Sequence, residues 1–265
     1  MPASLLLPPE IFGREEAKLE GDVFHHLVRV RRLEAGEKLQ AVDGLGQARA
    51  AVLQEIGKKS ALLQLGETLP PRDPSTKLHL LVGALRPERA SWLVEKATEL
   101  GVYALRFLNT ERTPRQYGQG RFDRYEKIAV AALEQCQGAR LPQISGVHAM
   151  DELPALLPAG NLWVLDPLAR EGLFWAGSAG VPPALQGEGA GVTPALPARE
   201  GAVLIGPEGG FSAAEEEVLA KLGARGALLG PRILRVETAA IAAAAILLAS
   251  APRVSIPEHP AGGAS

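Results

Sequence analysis

Cysteine is nearly absent from the 265 residues: Cys136 is the only one. A single thiol excludes an intrachain disulfide and a cysteine-based zinc site, and it fits a cytoplasmic setting. Surplus charge is missing as well. Lys and Arg number 28 against 30 Asp and Glu, a formal net charge of −2. That excludes a protein that coats nucleic acid through bulk positive charge, so any RNA site must be a local patch. Long apolar runs are also lacking. The longest, residues 239–249, is too short to span a bilayer and reads as a buried Ala-rich helix. Residues 5–7 are too few for the apolar part of a signal peptide, and no basic segment precedes them. No membrane association is expected. His25 and His26 have no ligand partners at metal spacing, so no metal is expected either.

What is present suffices for a folded enzyme. Hydrophobic residues make up 46% and charged residues 22%, enough apolar material for a core and too little charge for global disorder. At about 150 residues per domain, the length allows one large domain or two smaller ones. The cations are 20 Arg against 8 Lys. The planar guanidinium fork suits phosphate and base edges, although a GC-rich genome would give the same excess.

Residues 1–73 read as β-rich. Short apolar runs at 39–42 and 48–56 flank the turn signal Asp43-Gly44-Leu45-Gly46, and 60–65 reads as a further strand. Pro70, Pro71 and Pro74 then break regular structure, and the domain boundary is placed there. Beyond it strands and helices alternate. The strands are 78–84, read as continuous and apolar, then 102–108, 144–147, 162–165, 202–205 and 227–229. The helices are 88–100 with Pro87 in its first turn and Gly101 as its stop, 122–137, 213–222 and 238–250. Ser212 and Glu215 form the S-x-x-E capping box of the third helix. Such alternation predicts an α/β domain with a mostly parallel sheet over 74–256. Residues 177–200, rich in Gly, Ala and Pro, read as a flexible insertion loop, and 257–265 as a frayed tail.

Two turns carry the chemical interest. Val203-Leu204-Ile205-Gly206-Pro207-Glu208-Gly209-Gly210-Phe211-Ser212 leads from a buried strand to a capped helix. The C-terminal end of a parallel strand is where open α/β sheets bind ligands. The turn matches neither the P-loop nor the dinucleotide fingerprint, and Glu208 disfavours a phosphate. A tight structural turn is the bland alternative. A second turn, Leu229-Gly230-Pro231-Arg232-Ile233-Leu234-Arg235-Val236-Glu237-Thr238, also joins a strand to a helix, with Thr238 as its expected N-cap. Together the two could cradle one ligand, with Ile205, Leu229, Ile233 and Leu234 as apolar walls.

The stretches IGPEGGFS and LGPRILRVETA, in that order near the C-terminus, resemble the signature of the SPOUT methyltransferases, and more closely the ribosomal RNA small subunit methyltransferase E family. Four further stretches are similar to that family's words. They are Lys96-Ala97-Thr98-Glu99-Leu100-Gly101-Val102, the "TERS"-like Thr110-Glu111-Arg112-Thr113, the "AAEQC"-like 132–136 and the "HHLxxVLR"-like 25–33. The resemblance covers nearly the whole chain. It implies a C-terminal trefoil knot that binds S-adenosylmethionine, a homodimer built on the knot, and a small PUA-like β-barrel in front. It implies methylation of N3 of one uridine in 16S rRNA, as free RNA or in the small ribosomal subunit. The chain departs from the pattern at Gln137, at Pro114 and in the 177–200 loop.

Residues expected at the cofactor are Leu165, Ile205, Gly206, Pro207, Glu208, Gly209, Gly210, Leu229, Gly230, Ile233, Leu234 and Thr238. Uracil N3 carries a weakly acidic proton that must leave, which calls for a base or an anion-stabilising cation. Arg235 is assigned to orienting or stabilising the uracil and Glu237 to proton removal or positioning; an Arg235–Glu237 ion pair that merely holds the turn is the alternative. Arg29, Arg31, Arg32, Arg112 and Arg115 are the expected RNA contacts, against a reading of them as solvated or ion-paired side chains. Cys136 reads as a small buried hydrophobe, and N3 methylation needs no thiol. Three rival functions remain open: a SPOUT enzyme for another RNA, a non-enzymatic RNA-binding protein, and a small-molecule α/β enzyme.

Overall fold

A computed structural model describes residues 3–70, 72–113, 122–173 and 200–249, the side chains of Arg29 and Val30 apart. The insertion loop up to residue 199, Pro114, Arg115 and the C-terminal tail therefore lie outside the described residues. The chain divides into two compact units. Of the described residues, those up to Pro74 together with Leu133–Arg140 form the first, and Ser75–Ala132 with those from Leu141 to Ala249 form the second.

The first unit is built on five strands: β1 (Ala3–Leu6), β2 (Glu16–Glu20), β3 (Lys38–Val42), β4 (Ala48–Ile56) and β5 (Ser60–Leu69). Their order is β1-β3-β4-β5-β2, with β1 parallel to β3 and the other neighbours antiparallel. β2 reads Glu-Ala-Lys-Leu-Glu, exposed and buried in strict alternation, as a strand with one wet face must. Register shifts in the β4–β5 ladder, at Arg49/Ala51 and Leu53/Glu55, bend the sheet around a core of Leu5, Leu7, Leu27, Leu39, Leu53 and Leu63. Two short helices, α1 (Pro9–Phe12) and α2 (Gly21–Phe24), and a π-helical turn His25–Val30 interrupt the strands. Ala139 and Arg140 bring their N–H groups to the Asp73 carboxylate at 3.2 and 3.1 Å. The Leu133–Arg140 segment is thereby fastened to this unit.

The second unit holds a six-stranded sheet, every described pairing of which is parallel. Its strands are β6 (Lys77–Gly83), β7 (Ala104–Asn109), β8 (Gln143–Ala149), β9 (Asn161–Leu165), β10 (Glu200–Ile205) and β11 (Arg225–Ala227), in the order β11-β9-β10-β6-β7-β8. Strands buried on both faces read as apolar runs, which is why the sequence marks them. Leu78, Leu80, Val82, Val203 and Ile205 face one core. α3 (Pro87–Leu100), α7 (Val236–Ala249) and part of α4 (Phe122–Cys136) cover it, through residues such as Leu93, Val94, Tyr125, Ala129, Ala240, Ala243, Ala244 and Leu247. Leu81, Leu108, Leu162 and Leu204 face the other core, with Leu153 of α5 (Leu153–Leu156) and Leu219 of α6 (Ala213–Lys221). Small alanines let α7 lie close to α3, β6 and β10.

The expected α/β domain and the β-rich unit before it are therefore both present. Local differences have physical causes. The last strand is 225–227 rather than 227–229, because β9 offers it partners only for Arg225–Ala227. The last helix begins at Val236, not Thr238: the Arg235 carbonyl already accepts the Ala239 N–H. Arg235 thus occupies the N-cap position, and Thr238 is an exposed residue inside the helix. β6 is not continuously apolar, since His79 is buried within it at 5% exposure. No helix among the described residues is long and apolar enough to cross a membrane.

Candidate functional site

β6 and β10 are neighbours, yet the helices that follow them leave on opposite faces. α3 packs with the core of Leu80 and Val203, and α6 with that of Leu81 and Leu204. Such a divergence opens a crevice at the C-terminal ends of the strands. The 206–212 turn lies there. Gly83, the last residue of β6, approaches it so closely that a Cβ would stand 2.8 Å from the Pro207 nitrogen. Only glycine permits that contact, because backbone cannot move aside cheaply. The turn closes with the Gly210 N–H donating to the Pro207 carbonyl at 2.9 Å, Gly210 adopting a φ of 71°.

Side chains from three elements fasten the turn. Arg112, just after β7, donates to the Gly209 carbonyl at 3.0 Å. Glu215, in the first turn of α6, accepts from the Ser212 and Glu111 N–H groups, both at 2.8 Å. Arg89, in the first turn of α3, donates from Nη1 to Glu208 Oε1 at 2.9 Å. Its Nε lies 3.5 Å from Glu237 Oε1, in the first turn of α7. The bond to Glu208, and then the charge of Glu237, raise the Arg89 pKa above its ordinary value. Glu237 is 8% exposed, and its second oxygen, Oε2, is buried with no hydrogen-bond partner among the described residues.

The expected cofactor residues are brought together unevenly. Leu165 and Ile205 end the adjacent strands β9 and β10, and Leu229 packs with them on one core. Gly206 lies against the Phe211 ring, Pro207 is buried, and Glu208 is exposed and tied to Arg89. Gly230 is half-buried in the second turn. Ile233 and Leu234 do not form apolar walls among the described residues: they are 87% and 38% exposed. Residues 231–235, between β11 and α7, are all exposed. Thr238 points to solvent. Arg235 is exposed and makes no ion pair with Glu237, whose partner is Arg89 instead.

The expected RNA contacts also divide. Arg31 donates to the Ser4 carbonyl and lies 3.5 Å from Glu134 Oε2, so part of its hydrogen-bonding capacity is spent within its own unit. Arg32 follows it with a φ of 55°, a conformation rare outside glycine. Arg112 is engaged with Gly209, and neither the Arg29 side chain nor Arg115 is among the described residues. Cys136 is half-buried, its Sγ 3.5 Å from the Leu133 carbonyl. Among the described residues no cluster of His, Cys, Asp or Glu could hold a metal ion. Sequence reasoning missed Arg89, Gly83 and the second bond of Glu215. A cation in the first turn of the helix after β6 becomes conspicuous only once β6 is known to neighbour β10.

Known proteins match the chain along most of its length. A family model described as an RNA methyltransferase domain matches residues 71–248, and one described as an RNA methyltransferase PUA domain matches residues 19–66. The ribosomal RNA small subunit methyltransferase E of Bacillus subtilis (strain 168) is 27% identical over 229 residues, covering 83% of this chain and 85% of that relative. The protein of the same name from Mycobacterium tuberculosis is 28% identical over 239 residues, covering 86% and 84%. A Legionella pneumophila methyltransferase, solved in complex with bound SAM, superposes with a TM-score of 0.74 at 25% identity, covering 93% of this chain and 96% of that one. A ribosomal RNA small subunit methyltransferase E from Neisseria gonorrhoeae shares the fold, with a TM-score of 0.72 at 23% identity over 92% and 96% of the two chains.

Proposed function

The chain belongs to the RNA methyltransferase family, and from that premise we propose that it methylates N3 of a specific uridine in 16S rRNA with S-adenosylmethionine as donor. One observation carries the reading. Arg89 ties the glycine-rich turn after β10 to the start of α7, and the Glu237 carboxylate there keeps one buried oxygen without a partner among the described residues.

The residues suit the proposed donor. Residues 206–210 offer main-chain groups to a ligand edge, Leu165, Ile205 and Leu229 supply apolar surface, and Glu237 Oε2 awaits a hydrogen-bond donor. When bound, S-adenosylmethionine supplies an electrophilic methyl group. The work of the chain is alignment and proton handling. Glu237 Oε2 is the atom assigned to accept the uracil N3 proton or hold the ring by it; burial makes a hydrogen bond there stronger than in water. Arg235, two residues earlier and exposed, is assigned to orient a uracil carbonyl and stabilise charge developing on it. Residues 1–73 form the RNA-binding part of this reading, and 74–256 the methyltransferase part. The small ribosomal subunit as substrate, a homodimer, a trefoil-knotted C-terminus and a cytoplasmic location belong to the same reading. The return of the chain from edge strand β11 to α7, packed on the central strands β6 and β10, supports the knot.

The test is mass spectrometry of 16S rRNA from a deletion strain, with rescue by the intact gene and by Glu237→Gln. We expect one 3-methyluridine to vanish on deletion and return with the intact gene but not with the variant. An unchanged methylation pattern in the deletion strain would exclude the activity. Calorimetry with S-adenosylmethionine separates an enzyme from a protein that only binds RNA.

A further inference from the structure

Within the site, Arg89 is the group whose role neither the sequence nor the family description supplies. It stands in the first turn of α3, and its guanidinium reaches two carboxylates on two different segments: Glu208 at 2.9 Å and Glu237 at 3.5 Å. The two glutamates share one cation and would otherwise repel each other. The three side chains are unequally wet. Counting side-chain atoms alone, Glu208 is 67% exposed, Arg89 31% and Glu237 10%. A surface ion pair of the Arg89–Glu208 kind contributes little to stability in water. Its geometric consequence is larger, because one planar fork fixes the distance between the turn after β10 and the first turn of α7. The fork contacts Oε1 of Glu237, and Oε2 has no partner among the described residues.

We propose that Arg89 is a positioning residue. It holds the glycine-rich turn against α7 for cofactor binding, and its contact with Oε1 orients Glu237 so that Oε2 is left to an N–H donor of the substrate. The proposal rests on the methyltransferase reading above. Arg89 itself need not touch donor or uracil; it acts through Glu208 and Glu237. Its two effects separate by partner. The bond to Glu208 holds the turn, and the contact with Glu237 orients that carboxylate.

The experiment compares Arg89→Ala, Arg89→Lys and Glu208→Gln in the full chain. S-adenosylmethionine affinity is read by calorimetry, and kcat and KM are read separately on small ribosomal subunits lacking the modification. Arg89→Ala should weaken cofactor binding about tenfold. It should also lower kcat at saturating donor, since Glu237 loses the contact that orients it. Arg89→Lys, which keeps the charge and loses the fork, should leave the affinity reduced. Glu208→Gln should reduce the affinity and lower kcat less than Arg89→Ala does. If Arg89→Ala fails to fold, the other two variants carry the same pair of readouts. Wild-type affinity and wild-type kcat in Arg89→Ala, beside an active wild type, overturn this proposal alone. A wild-type chain that binds no S-adenosylmethionine overturns the functional reading and this proposal together.

Discussion

The Glu215 carboxylate accepts the Ser212 N–H and the Glu111 N–H, both at 2.8 Å, while Ser212 Oγ takes the Glu215 N–H at 3.3 Å. The reciprocal pair with Ser212 is the capping box that the S-x-x-E spacing announces. The bond to Glu111 crosses from α6 to the segment after β7, and no local pattern announces it. At 5% exposure the carboxylate shields both N–H groups from water. Glu215→Ala therefore leaves two donors unsatisfied and should cost about 2–4 kcal/mol, whereas Ser212→Ala loses one cap at about 1 kcal/mol. Denaturant unfolding of both variants checks this. Equal losses would mean that the bond to Glu111 contributes nothing. The same distinction between local and distant partners explains the legibility of the site. Gly206–Gly210, Ser212 and Glu237 stand in continuous words of sequence. Arg89 and Gly83 matter through residues more than a hundred positions away, and nothing adjacent to them says so.

The elements were legible where both faces of a strand are buried. β6, β9 and β10 read as apolar runs, and α3 has Pro87 at its start and Gly101 at its end. β1 and the short helices α1 and α2 were not distinguished. Four-residue elements carry too little periodicity, and they exist because the neighbouring sheet gives them partners. His79 shows what an apolar run can conceal. Its Nδ1 lies 2.9 Å from Arg106 Nη1 and its Nε2 lies 2.8 Å from Glu200 Oε1, a chain of polar groups across β7, β6 and β10. Arg106 can only donate and Glu200 accepts, so the neutral ring with its proton on Nε2 satisfies both. Protonation would turn a second N–H toward the guanidinium. Burial is the largest cause lowering the His79 pKa below 6.5, and it outweighs the Glu200 hydrogen bond, which acts the other way. The unfolded chain then binds more protons than the folded one between the lowered value and 6.5. Stability from this group is complete above 6.5 and is lost as pH falls toward the folded pKa. Denaturation midpoints measured from about pH 8 to pH 5 should fall more steeply for wild type than for His79→Gln, which cannot titrate. Parallel curves would refute the assignment.

For the whole molecule, the fold class followed from the change from short strands to alternating strands and helices. The fastening of Leu133–Arg140 to the first unit did not, because Asp73 meets Ala139 and Arg140 only in three dimensions. Charge acts at this scale too. Twenty arginines suggest a broad polyanion surface until their hydrogen bonds are followed. Arg49 donates to the carbonyls of Phe12, Arg14, Leu65 and Gly66; Arg31, Arg89, Arg106, Arg112 and Arg225 also have partners within the fold. A guanidinium already spent on carbonyls or carboxylates has less to offer phosphate. With a net charge of −2, there is also no surplus field to gather RNA from a distance. RNA affinity should therefore fall gently with salt. If about four phosphates are neutralised, log K against log salt has a slope near −3 for single-stranded RNA. Arg32→Ala should flatten that slope by about one contact, and Arg31→Ala should instead lower the melting temperature through the lost bonds to Ser4 and Glu134. Filter binding of a 16S fragment from about 50 to 200 mM salt tests this. A slope beyond about −8 would mean that many more cations face RNA than these hydrogen bonds leave available.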